Sequence, residues 1–218
     1  ARLSPSGIRK FFDLLSSVKG VISLGVGEPD YVTPWHIRES AIYSLEQGYT
    51  TYTSNYGLLE LRQELSRYLQ YMYGIEYDPQ GELLITVGVS EALDLALRVI
   101  LNPEDEVIMP DPCYVAYASC VTLAGGTPVS VPTNVENGFA LKASDVEARI
   151  TPRTKALLIG YPANPTGAVL SRTELTAIAD VAQRNGIVVI SDEVYARLVY
   201  GVDHTCFSSL PGAKENCI

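Results

Sequence analysis

Ile187-Val188-Val189-Ile190-Ser191-Asp192-Glu193-Val194-Tyr195 begins with four apolar β-branched residues and ends in carboxylates and a tyrosine. β-Branched side chains suit the pleated strand. A strand with one face in water alternates apolar and polar residues. Ile187–Ser191 does not alternate, so both of its faces are covered. Lys155–Tyr161 has the same character and is closed by Pro162, and Glu106–Met109 is closed by Pro110 and Pro112. Leu83–Val87 and Thr127–Val131 are further β-rich segments. Between them the apolar spacing turns helical. Glu91–Leu101 carries Ala92, Leu93, Leu95, Ala96, Val99 and Ile100, and Tyr114–Leu123 is a second helix. Ser171–Asn185 is a third, with Ser171 as N-cap, Glu174 three residues on and Gly186 past its end. Covered strands separated by helices predict an α/β fold, with a mostly parallel, mixed sheet sandwiched by helices.

In such sheets ligands bind at the carboxyl ends of the strands. The informative residues should therefore follow Val87, Met109, Tyr161 and Ser191. After Val87 the chain turns at Gly88 and a helix begins near Ser90. The free N–H groups and partial positive charge of a helix start suit a phosphate, and the Ser90 hydroxyl can add a bond. The same serine could simply cap its own helix. Asp111-Pro112-Cys113-Tyr114 follows the next strand, so Tyr114 can lie over a flat ring or pack on the sheet. Tyr161-Pro162-Ala163-Asn164-Pro165-Thr166-Gly167 is a rigid turn that can also present the Asn164 amide, and Asn164–Pro165 is a candidate cis bond. Asp192 reaches the ligand edge with a dry strand behind it. There it can cap a turn, or pair with a ring nitrogen and keep it protonated. Tyr195, three residues on, falls on the same side.

In combination these strand ends resemble the class I/II aminotransferases that use pyridoxal phosphate (PLP), fold type I. The matching stretches are Leu24–Asp30, Tyr52–Gly57 with Leu61-Arg62, Thr86–Ala92, Asp111–Tyr114, Asn164–Gly167 and Ser191–Tyr195. The resemblance implies that Gly88, Val89 and Ser90 hold the phosphate and that Tyr114 stacks on the pyridine. It also implies that Asn164 and Tyr195 bond the phenolate oxygen and that Asp192 pairs with the ring nitrogen. Gly27, Tyr114 and Asn164 would meet the substrate, and Tyr52 would reach the phosphate of a neighbouring subunit in a homodimer. Amino acids and 2-oxo acids would be the substrates. Residues 1–48 are read as an N-terminal arm and small-domain segment, and 49–218 as part of the PLP-binding large domain.

The resemblance also requires a lysine that holds the cofactor covalently. Lys10, Lys19, Lys142, Lys155 and Lys214 are the lysines of the chain, and none stands in the expected Ser-Lys setting after Asp192. Asn216-Cys217-Ile218 reads as the start of a strand that would lead to it. The chain is thus expected to be part of a longer enzyme and inactive alone. A PLP-dependent lyase of the carbon–sulfur or aminocyclopropane-carboxylate synthase type uses the same cofactor residues and stays open. So does a non-enzymatic regulator domain on this scaffold. Gly25-Val26-Gly27 lacks the third glycine and helix of a dinucleotide fingerprint.

Composition narrows the remaining classes. Of 218 residues, 47% are hydrophobic and 19% charged, as in a globular domain. A net charge of −9 without a Lys/Arg stripe argues against a nucleic-acid partner. Cys113, Cys120, Cys206 and Cys217 form no CxxC pair and are joined by only two histidines, so no metal is expected. No apolar run approaches the ~20 residues of a membrane span. No signal-peptide pattern opens the chain, and a cytoplasmic location with free thiols is expected.

Overall fold

A computed structural model of the chain describes residues 20, 22, 27 and 29–218. The sequence of Ser23–Asp30 reads as a short strand and a Gly/Pro turn, and this stretch falls mostly outside them. The chain divides into two compact units, Ala1–Ser54 and Asn55–Ile218. The sequence predicts a helix over Pro34–Gln47, and in the first unit helix α1 spans Trp35–Glu46, starting behind Pro34.

The second unit opens with α2, Leu59–Tyr73, which ends at Gly74 with φ +71°. Glycine adopts this left-handed conformation without steric cost. The buried Arg62 of α2 donates from Nη1 to the carbonyls of Pro79 and Gln80, at 2.7 and 3.3 Å. There follow α3 (Gly88–Ile100), β1 (Glu106–Asp111), α4 (Ala116–Leu123), β2 (Thr127–Pro132), α5 (Ala143–Glu147), β3 (Thr154–Gly160), α6 (Arg172–Arg184) and β4 (Val188–Asp192). Each matches a predicted element to within a few residues, apart from the short α5, which was not anticipated. Ser171 and Glu174 form the expected capping box on α6: each side chain accepts from the other residue's backbone N–H.

The expected strand over Leu83–Val87 does not form. A strand exists only where a neighbour takes its hydrogen bonds. Here Ile85 N–H bonds the Tyr56 carbonyl at 3.1 Å, and among the described residues no ladder continues from that contact.

The four strands lie in the order β2-β1-β3-β4, every pairing parallel. Strand alternation then sorts the side chains. Ile108, Leu157, Ile159 and Val189 face one side, where they meet Leu175, Ile178 and Ala182 of α6 and Phe207 of the later loop. Val107, Met109, Leu158 and Ile190 face the other, against Leu93 and Leu97 of α3 and Tyr117 and Val121 of α4. This double covering is why the strands do not alternate in sequence. Each fully buried Leu or Ile contributes about 1.5–3 kcal/mol.

At the outer edge of β4, Cys217 bridges Val189 in parallel. Ile218 N–H donates to Val189 O, and Ser191 N–H to Ile218 O, both at 2.9 Å. Of the strand start read from Asn216–Ile218, the structure holds this single bridge beside β4. Because the sheet is parallel, Asp111, Pro132, Gly160 and Asp192 all end at one rim, with Gly160 and Asp192 register partners.

Candidate active site

That rim encloses a cavity of about 280 Å³. Val89 and Ser90 enter it from the start of α3, Tyr114 from the β1–α4 turn, Asn164 from beyond β3, Asp192 from the end of β4 and Tyr195 from the turn after it. Six residues chosen from four distant segments thus share one wall-to-wall space. Gly88 stands immediately before Val89, with φ +75°.

The helix start differs from the expectation in one respect. α3 begins at Gly88, so Ser90 is its third residue rather than its cap. The capping position is Val87, whose side chain cannot accept a hydrogen bond. Glu91 reaches back to Val87 N–H. The first-turn amides therefore have no side-chain cap from the helix's own N-cap residue, and the dipole favours an anion beside them.

Asp192 is held by two donors. Tyr117 Oη–H donates to Oδ2 at 2.8 Å and Val194 N–H to Oδ1 at 3.2 Å. Each carboxylate oxygen keeps lone-pair capacity for a further donor. Tyr117 was not anticipated, although it lies three residues after Tyr114 and so one helical turn from it. It is buried, and that burial, with the charge of Asp192, pushes its phenol well above the ordinary tyrosine range. It therefore stays protonated and donating. Gly160 was missed too. A Cβ there would overlap the Tyr117 phenol oxygen, so glycine is what lets the phenol reach Asp192. The Tyr114 ring stands edge-on to Tyr117, centroids 5.6 Å apart and planes at 82°.

Asn164 sits at the tip of a closed loop. Ala163 N–H bonds Ala168 O and Gly167 N–H bonds Ala163 O, both at 2.8 Å. The Asn164–Pro165 bond is cis, as are Asp111–Pro112 and Tyr161–Pro162. Tyr195 lies in the turn after β4, which is closed by Ala196 N–H to Glu193 O at 2.9 Å. Burial and the Asp111 charge push the thiol of Cys113, next to Tyr114, up to about 11.

Gly27 and Tyr52 belong to the Ala1–Ser54 unit, and Tyr52 is fully exposed. The described lysines lie outside the cavity lining. Lys214 pairs instead with Glu82 at 2.9 Å and covers the Tyr77 ring at 4.7 Å. Among the described residues no group of three or more His, Cys, Asp or Glu side chains could hold a metal ion. No helix among them is long and apolar enough to cross a membrane.

The sequence pattern of the family described as "Aminotransferase class I and II" matches residues 19–215. The chain belongs to this family. Among its relatives, the aminotransferase YugH of Bacillus subtilis (strain 168) is 54% identical over 217 residues, covering 100% of this chain and 56% of its own. "Aromatic-amino-acid aminotransferase 2" of Thermococcus litoralis is 45% identical and covers 99% of this chain and 56% of its own. Among solved structures, an aspartate aminotransferase of Thermus thermophilus with maleate superposes with a TM-score of 0.92 at 37% identity. That match covers 98% of this chain and 56% of the other. The chain thus spans a little over half the length of the relatives it matches.

Proposed function

We propose that the protein carrying this chain is a PLP-dependent aminotransferase that exchanges an amine between an amino acid and a 2-oxo acid. The observation that carries the reading is the meeting of an uncapped helix start, an accessible aromatic ring, an amide and a fixed carboxylate in one small cavity. This donor set fits a phosphorylated pyridine. The amides of Val89 and Ser90, with the Ser90 hydroxyl, would hold the phosphate. Tyr114 would cover the ring face. Asn164 and Tyr195 would donate to the phenolate oxygen, and Asp192 would pair with the ring nitrogen.

When bound, PLP supplies an electron-withdrawing ring that stabilises negative charge on the substrate carbon. The rest of the work belongs to the protein. Asp192 keeps the ring nitrogen protonated, and can do so because Tyr117 donates to its other oxygen rather than competing for a proton. Leu93 and Pro162 add apolar surface to the cavity lining beside Tyr114.

The named relatives suggest aspartate or an aromatic amino acid as amine donor. Residues 49–218 would form most of the cofactor domain and 1–48 an arm and small-domain segment. Gly27 would meet the substrate, and Tyr52 the neighbouring phosphate in a cytoplasmic homodimer. The relatives' names favour transfer over the lyase alternative.

The test is an assay of the full-length protein with aspartate or phenylalanine and 2-oxoglutarate. Formation of glutamate and the matching 2-oxo acid is expected. No glutamate from either amine donor, with pyruvate and ammonia released instead from a cysteine thioether without an acceptor, would refute transfer.

A further inference from the structure

Glu193 follows Asp192, yet it faces away from the cavity. With Ser191, Cys206 and Ser208 it lines a separate groove. Its carboxylate gathers three donors: Ser191 Oγ–H to Oε1 at 2.9 Å, Phe207 N–H to Oε1 at 2.8 Å, and His204 Nε2 to Oε2 at 2.8 Å. Burial pushes this carboxyl up, but the bonds from His204, Phe207 and Ser191 outweigh it and hold the group below its ordinary range. Glu193 is thus an anion at neutral pH and accepts every bond, so His204 Nε2 carries the proton. The imidazole is itself buried, with the Tyr73 ring edge-on at 5.9 Å. Phe207 is embedded in the core beneath the sheet.

These contacts join the peptide just past β4 to a fixed point in the core, 14 residues away in sequence. The turn carrying Tyr195 closes on the Glu193 carbonyl. Asp192 is tied separately, by the Tyr117 phenol and by its register with Gly160, whereas the turn beyond it reaches the core through Glu193.

We propose that Glu193, clamped by His204 and Phe207, is a positioning residue that holds the Asp192–Tyr195 backbone so that both side chains meet the cofactor ring. This rests on the PLP reading above.

The experiment uses the full-length apoprotein and its Glu193→Ala, Glu193→Gln, His204→Ala and Asp192→Ala variants. Each is titrated with PLP to give a Kd and the visible circular dichroism per bound cofactor, which reports how rigidly the ring is held. Glu193→Ala should raise Kd about tenfold and lose most of the dichroism, the scale of one lost charge-assisted anchor. Glu193→Gln keeps the Oε1 acceptor and should stay within about threefold of wild type. His204→Ala removes one of the three bonds and should fall between. Wild-type Kd and dichroism in Glu193→Ala would overturn the proposal, and loss of both in Asp192→Ala would then leave the PLP reading standing. If Glu193→Ala does not fold, unchanged dichroism in His204→Ala overturns it. A wild-type protein that takes up no PLP sinks the reading and the positioning role together.

Discussion

Replacing Gly160 by alanine should damage the site through a single contact, and a double-mutant cycle can isolate it. The new Cβ would overlap the Tyr117 phenol oxygen, while the next atom of that ring, Cζ, would lie at an ordinary 3.4 Å. Overpacking of this kind costs about 1–3 kcal/mol. Tyr117→Phe alone forfeits the bond to Asp192, about 1.5–3 kcal/mol for a charge-assisted pair. With Phe at 117 the offending oxygen is gone. Gly160→Ala should then be near neutral, or stabilising by up to about 0.5–1 kcal/mol because strand glycines are entropically costly. The two changes should therefore couple by about 2 kcal/mol, far above the ~0.3–0.5 kcal/mol scatter of independent sites. Urea denaturation of the four apoproteins measures the stability cycle, and PLP titration measures the corresponding loss of affinity. An equal penalty for Gly160→Ala in both backgrounds would refute the claim that glycine serves the Tyr117–Asp192 contact.

Asp192→Asn in the full-length enzyme should cut turnover at least about a hundredfold, as loss of a preorganised charge does, and near-normal rates in a steady-state assay would remove Asp192 from its role. Tyr114→Ala should weaken PLP binding about tenfold with little change in melting temperature, and fluorescence titration would show an unchanged Kd if the ring stacks elsewhere. Ser171→Ala should cost about 1 kcal/mol of stability through loss of the capping box, read from urea curves, without changing PLP affinity. Thr151 and Arg153 hold the Glu106 carboxyl below its ordinary range at the far end of β1. Its depressed folded pKa means that its stabilisation is complete above the unfolded value and fades as pH falls through the folded one. Glu106→Gln should therefore destabilise the protein at neutral pH and flatten the acid limb of its stability curve. A parallel loss at every pH would contradict this.

What the sequence disclosed follows from local physics. Ile187–Ser191 and Lys155–Tyr161 announced covered strands because both faces had to be apolar. Ser171, Glu174 and Gly186 marked a helix by its ends. Asp192, Asn164 and Ser90 were legible as strand-end residues once the sheet was known to be parallel. What stayed hidden was pairwise and distant. Leu83–Val87 has strand composition but no ladder partner among the described residues, which composition cannot reveal. Nothing in the sequence separates Tyr117 from any other core aromatic; its contacts with Gly160 and Asp192 do. Glu193 and His204 are 11 residues apart, with no periodicity linking them, and only the loop's return to the core makes them neighbours.

The end of β4 works on two sides at once, with Asp192 toward one hollow and Ser191 and Glu193 toward another. Its length is therefore as constrained as its composition. Removing a single residue from Val188–Asp192 would invert the outlook of everything downstream. A glutamate trained on the imidazole would be turned toward the phenol, and the aspartate toward the imidazole. Tolerance to substitution along this strand should thus be far greater than tolerance to a one-residue insertion or deletion.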